Sequence, residues 1–336
     1  MISPKDNSFY KQMIAICLTL TGPVFTTVTY AQTIKLVPNE AQKKVEVLVD
    51  GQPFTAYWYP GPAVLKKPVL YPIRSATGQF ITRGWPVDPR PGERVDHPHH
   101  VGLWFNYGDV NGHDFWNNSN DIKDTKAIYG TIVHTGIVSM KGGKESGELT
   151  ITADWLDKDN LPMLRERTAF TFRGSKTSRT IDRQTTLTAL ATDVVFKDNK
   201  EGLMGLRVSR ELEHPATKAD VFTDASGKTT AVPVLNNAGV TGHYRSSEGV
   251  EGEAVWGKRA NEMTLTGTIN NQPVTITMVD DPKNIGYPTY WHARGYGLFA
   301  ANPLAPAVFT DKKEPAMNYT LKAGQSVTFR YLVTIK

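Results

Sequence analysis

The chain has 336 residues, with 38 Lys and Arg against 33 Asp and Glu and a single cysteine, Cys17. Its net charge of +5 is dispersed, with no basic block longer than Lys43-Lys44 or Lys66-Lys67, and that speaks against a nucleic-acid partner, which calls for a concentrated basic patch. Beyond Cys17 there is no thiol for a disulfide framework, a thiolate metal site or a cysteine nucleophile.

Residues 1–31 read as an export signal. Lys5 and Lys11 give a positive start, an apolar stretch runs from Met13 towards Val28, and Thr29-Tyr30-Ala31 puts small residues ahead of a cut after Ala31. Thr19, Thr21, Gly22 and Pro23 interrupt the apolar run, so no span of ~20 apolar residues remains. The expected mature chain is therefore 32–336, periplasmic or extracellular, with no membrane span.

From there the dominant period is two. Val45, Val47 and Val49 share one face, with Lys44 and Glu46 opposite, and Asp50-Gly51 turns the chain into Phe54–Tyr59, a hairpin signature. Thr131–Met140 and Glu148–Leu156 are two extended runs joined by Lys141-Gly142-Gly143-Lys144. Arg167–Phe172, Thr180–Leu190, Leu203–Glu211, Val274–Val279 and Ser326–Ile335 read the same way. His214–Glu253, rich in Gly, Ser, Thr and Asn, predicts long loops with short strands. No long segment carries a 3.6-residue period. The pattern predicts an all-β fold, one large antiparallel β-sandwich domain over 32–336.

The densest chemistry is Asp96-His97-Pro98-His99-His100, which holds three of the eight histidines. Imidazole serves as acid, base or metal ligand near neutral pH. On a strand His97 and His99 would share a face and could chelate one ion, although Pro98 points to irregular backbone. A turn whose histidines cap backbone groups is the plainer alternative. Next, Val101, Leu103 and Phe105 alternate with His100, Gly102, Trp104 and Asn106. The first set reads as core and the second as a surface where an indole and hydrogen-bonding groups suit a sugar ring.

Asp109 and Asn111, between glycines and just before Trp116, are turn formers or binders of hydroxyls. Arg207 alternates with Leu206 and Val208 and could reach the same pocket. Near the end, Tyr290, His292 and Arg294 fall on one face, and Asn302-Pro303 closes that region. No phosphate loop or dinucleotide fingerprint is present, so no nucleotide cofactor is expected, and a divalent metal stays open.

These residues carry a resemblance. Asp96–Phe105, Gly108–Gly112 with Phe115-Trp116, Gly242–Gly249, Val255–Arg259 and the stretch from Asp281 to Pro303 resemble a bacterial family of unknown function known as PmoA-like, or "methane oxygenase PmoA". Leu304-Ala305 departs from that family's pattern. More distantly, Tyr319–Tyr331, with its Leu321-x-x-Gly324-x-Ser326 turn, looks like the closing strand of galactose-mutarotase-like proteins. That resemblance implies a β-supersandwich with a sugar site on a concave sheet. Where those proteins place a late catalytic Glu, this chain has Ala301-Asn302, and an amide cannot act as that base.

The expectation is thus an exported carbohydrate-processing enzyme acting on a small-molecule or oligosaccharide ligand. His97, His99, His100 and His292 would supply acid, base or ligand groups. Trp104 and Trp116 would form a stacking surface, and Asp109, Asn111, Arg207, Arg294 and Asn302 would bind the ligand. A non-catalytic sugar-binding protein and a structural sandwich with incidental histidines are the alternatives.

Overall fold

Alternation becomes sheet because each strand has one apolar face to bury. In the computed structural model, which describes residues 1, 32–122, 126–218, 221–224, 228–231 and 237–336, two large antiparallel sheets pack face to face. The first has nine strands. It runs from Tyr290–Arg294 at one edge through Leu298–Asn302, Gly202–Arg207, Leu103–Tyr107, Val69–Leu70, Gln52–Trp58, Lys44–Val49 and Thr33–Asn39 to Gly143–Lys144. The second has eight strands, from His243–Ser246 at one edge to Thr131–Lys141 at the other, with Ser326–Ile335 and Arg179–Ala189 at its centre.

The core lies between them. Phe105 reaches from the first sheet to Trp155 and Phe329 of the second, at ring separations of 6.4 and 5.8 Å. Val45, Val47 and Val49 are fully buried there, as their alternation predicts. Among the described residues the only α-helix is the four-residue Pro306–Phe309, and no helix is long and apolar enough to cross a membrane. The fold is thus an all-β antiparallel sandwich. The predicted export segment lies outside the described residues.

Three local expectations need correction. The strand predicted over Leu203–Glu211 stops at Arg207, and Arg210–Leu212 forms a 3-10 turn. Within the predicted Lys141–Lys144 connection, Gly143 and Lys144 pair with Ile34 and Thr33 as a short strand of the other sheet. Residues 97–100 form a turn instead of a strand: His100 N–H donates to the His97 carbonyl at 2.9 Å, and His97 has left-handed backbone with φ 43°. Proline fixes its own φ and has no N–H to give a ladder, so the chain turns where a strand would need one.

Candidate functional site

The outer face of the nine-stranded sheet builds the site. Across four neighbouring strands, Trp104, Gly205, Ala300 and His292 stand opposite one another in a row. Gly205 is what lets the indole lie flat across its neighbour, because a Cβ there would come within 2.5 Å of the Trp104 ring. Trp116, from the loop after Leu103–Tyr107, packs on Trp104 at 5.2 Å and lies nearly parallel to His292 at 6.3 Å. The two indoles therefore bridge the histidine turn and the edge strand.

The turn sets its rings on this floor. His100 stacks on Trp104 at 5.1 Å, His97 stacks on His100 at 4.9 Å, and Tyr296 stacks on His97 at 4.8 Å. Beneath the turn lie two buried arginines. Arg207 Nη2 donates to Asp96 Oδ1 at 2.6 Å, and Arg83 contacts the same oxygen. Arg83 also donates to the carbonyls of His97 and His100, both at 3.1 Å, tying the turn to the segment that follows Thr82. On the other side the buried Lys67 Nζ donates to the His99 carbonyl at 2.7 Å.

This packing decides protonation. Burial, then Lys67 and the nearby cations, hold the His99 imidazole well below its ordinary value; burial and the neighbouring His99 do the same for His100. Burial, reinforced by Lys200 and Arg294, brings His292 down to about 3. Burial alone would raise the Asp96 carboxyl, but Arg207, the His97 hydrogen bond and Arg83 hold it far below the carboxylate range. Lys67, buried, falls to about 7. All three buried imidazoles are thus neutral at neutral pH.

Their free nitrogens then matter. Neither ring nitrogen of His99 has a hydrogen-bond partner, and neither does His100 Nε2 or His292 Nδ1. Arg207 Nη1 donates to His100 Nδ1 at 3.4 Å, so the neutral ring carries its proton on Nε2 and offers it as a donor. These histidines border a cleft of about 550 Å³, whose far wall brings in Glu201, Arg294, Tyr296 and Trp256. Glu201 Oε2 lies 3.7 Å from His292 Nδ1, and its carboxylate is held by Lys200. A larger groove of about 690 Å³ lies over Trp58 and Tyr71 and collects no histidine.

A family model described as "Family of unknown function (DUF6807)" matches residues 44–336. The chain belongs to this family. The match gives no support to the PmoA-like name. No curated protein matches the chain significantly. Among solved structures, the galactosidase domain of an alpha-galactosidase-sucrose kinase is 9% identical at TM-score 0.40, over 90% of this chain and 42% of that one. A putative aldose 1-epimerase from Escherichia coli K12 is 12% identical at TM-score 0.33, over 91% and 99% of the two chains. A galactose mutarotase-like protein from Clostridium acetobutylicum is 10% identical at TM-score 0.36, over 91% and 99%. These likenesses are loose, and the sandwich assignment rests on the two sheets themselves.

In this DUF6807 chain the structure brings His97, His99, His100, His292 and Arg294 to the cleft, sets Arg207, Trp104 and Trp116 beneath it, and leaves Asp109, Asn111 and Asn302 out of its lining. Trp104 and Trp116 are fully buried, so they are floor and not an exposed stacking surface; Trp256 and Tyr296 are the aromatics that reach the cleft. Asp109 and Asn111 are turn formers. Asp109 Oδ1 accepts from Gly112 N–H at 2.9 Å, while Asn111 bonds the Asp193 carbonyl and the Val195 N–H at 3.1 and 2.8 Å. Asn302 is buried and donates to the carbonyls of Asn199 and Lys200 at 2.8 and 3.0 Å. It positions the segment that carries Glu201 and does not line the cleft. Because residues 97–100 turn, His97 and His99 do not share a strand face, and among the described residues no three His, Cys, Asp or Glu side chains are placed to hold one metal ion. Sequence reasoning missed Glu201, Lys67, Arg83, Tyr296 and Trp256 as site residues. Only Tyr296, two residues beyond Arg294, carried a local signal.

Proposed function

We propose that the cleft binds a sugar or sugar derivative and acts on it by proton transfer through its imidazoles, in a protein exported from the cell. The observation that carries this reading is His99, buried, neutral and without a partner on either ring nitrogen. A buried polar group left unpaired is costly, and sites where such groups persist call for a ligand. A histidine capping backbone would have its partner already, so the free nitrogens favour a ligand over the structural alternative. Neutral imidazole is the form that accepts a proton, and the carboxylate of Glu201 stands close enough to His292 to orient it. Trp256 and Tyr296 supply the aromatic wall that suits the C–H face of a sugar ring.

The test is melting temperature against a panel of sugars and oxidised sugars, for the wild type and for His99→Ala and His292→Ala. The wild type is expected to gain stability with a cognate sugar, and the variants to lose that gain while melting nearly as before without ligand. Absence of any response in the wild type, or an undiminished response in both variants, overturns the reading. Export is tested separately by N-terminal sequencing of exported protein: Gln32 is expected first, and an intact Met1 there overturns it.

A further inference from the structure

We propose that the sugar taken by this cleft is acidic, its carboxylate received by the guanidinium of Arg294. The inference rests on the sugar reading above and names the substrate class. Arg294 ends the edge strand on the same face as His292 and borders the cleft. Its guanidinium carbon lies 4.5 Å over the Trp256 ring, which holds the planar fork in one orientation. Among the described residues it pairs with no carboxylate. A stacked, pre-oriented guanidinium offers two parallel N–H donors that match a carboxylate.

The surroundings point the same way. Asp96, the carboxylate beneath the histidine turn, is shared by Arg83, Arg207 and His97. Glu201 is already engaged by Lys200. Lys67 stands behind His99. Glu253 is the remaining acid at the cleft, and it lies exposed at the rim. Of the free ring nitrogens bordering the cleft, His100 Nε2 is a donor without an acceptor. A neutral sugar would satisfy donors with hydroxyl oxygens, but it would leave Arg294 without a counter-charge. A carboxylate answers both demands.

The experiment is isothermal titration calorimetry with four probes, D-glucuronate, D-galacturonate, D-glucose and D-galactose, and with D-glucose 6-phosphate as a second kind of anion. At least one uronate is expected to bind about tenfold tighter than its neutral parent, the scale of one charge-assisted contact. That preference should vanish in Arg294→Ala and be only partly kept in Arg294→Lys, which retains charge but loses the fork. If Arg294→Ala fails to fold, the wild type alone decides. Its preference should shrink as salt rises from about 0.01 to 1 M and the screening length falls from ~30 to ~3 Å. Neutral sugars binding as tightly as the uronates overturn this inference and leave the sugar reading standing. A preference that survives both Arg294→Ala and high salt overturns it too, and the phosphate binding tighter than both uronates overturns the carboxylate assignment. No binding by any of the five probes removes this inference together with the sugar reading.

Discussion

Two buried arginine–carboxylate clusters flank the strand Leu103–Tyr107, and they differ in one respect. On its core side, Arg183 lies over the rings of Phe105 and Phe170 and donates to Glu166 Oε1 at 2.8 Å and to Thr185 Oγ1 at 2.9 Å. Glu166 also accepts from Thr168 at 2.6 Å and from the Trp155 indole at 2.9 Å. One arginine meets one carboxylate, and both carboxylate oxygens are used. On the outer side, two arginines meet at Asp96, with Arg207 also 3.8 Å from the buried Glu213, and the imidazoles stacked above keep free nitrogens. Burial is similar on the two sides; satisfaction is not. A closed polar network specifies a core, whereas an open one beside a cleft leaves groups free to take a ligand.

The largest expected effect comes from opening the closed cluster. Glu166→Ala leaves Arg183 buried without its anion, and urea unfolding should report a loss of roughly 3–5 kcal/mol. Sugar response per folded molecule should be unchanged, since Glu166 faces the other side of the sheet. A variant of near wild-type stability would show that the two clusters are not different in kind.

Acid is the next largest perturbation, and it acts on the open cluster. His292 titrates near 6.5 when unfolded and at about 3 when folded. Between those values the unfolded chain binds the proton and the folded one does not. Its contribution is therefore fully present above about pH 6.5 and declines as pH falls, at about 1.4 kcal/mol per unit. His99 and His100 are shifted in the same direction. Urea unfolding at pH 7 and pH 4.5 should differ by roughly 2–3 kcal/mol less in His292→Gln than in the wild type; an equal difference would exclude His292 from the acid response.

Smaller still is the effect of crowding the floor. Gly205→Ala drives a methyl into the Trp104 ring, for an expected cost of about 1–3 kcal/mol. Because His100 rests on Trp104, the displacement should also weaken sugar binding, measured by titration at a temperature where the variant is folded. Asn111→Ala sharpens the contrast from the other end. It should cost about 1 kcal/mol through its lost turn hydrogen bonds and leave sugar binding untouched. Loss of binding there would restore Asn111 to the site.

The strands were legible because alternation is a local property. Alternation places Thr180–Leu190 within one residue of the observed Arg179–Ala189 at each end, and Ser326–Ile335 at its observed ends. Gly143–Lys144 has no strand signal, since two residues in a Gly-rich connection carry no period. The histidine cluster and the shared face of His292 and Arg294 were equally visible, being short-range patterns.

What alternation could not tell was which outward face stays open. It put Trp104 opposite the core correctly, but the loop bearing Trp116 then covers that face, and only the chain's return decides this. Glu201 and Lys67 had no signal at all: each is an ordinary charged residue, brought to the histidines by strands and loops distant in sequence. Which carboxylate sits beside which imidazole, and whether a nitrogen finds a partner, depends on contacts between segments some hundred residues apart. Period and turn chemistry act over a few residues, so the sequence by itself determined the sandwich and named the histidines. Charge balance and hydrogen-bond satisfaction are sums over everything nearby in space, so only the tertiary structure decided that His99, His100 and His292 are neutral and keep free ring nitrogens.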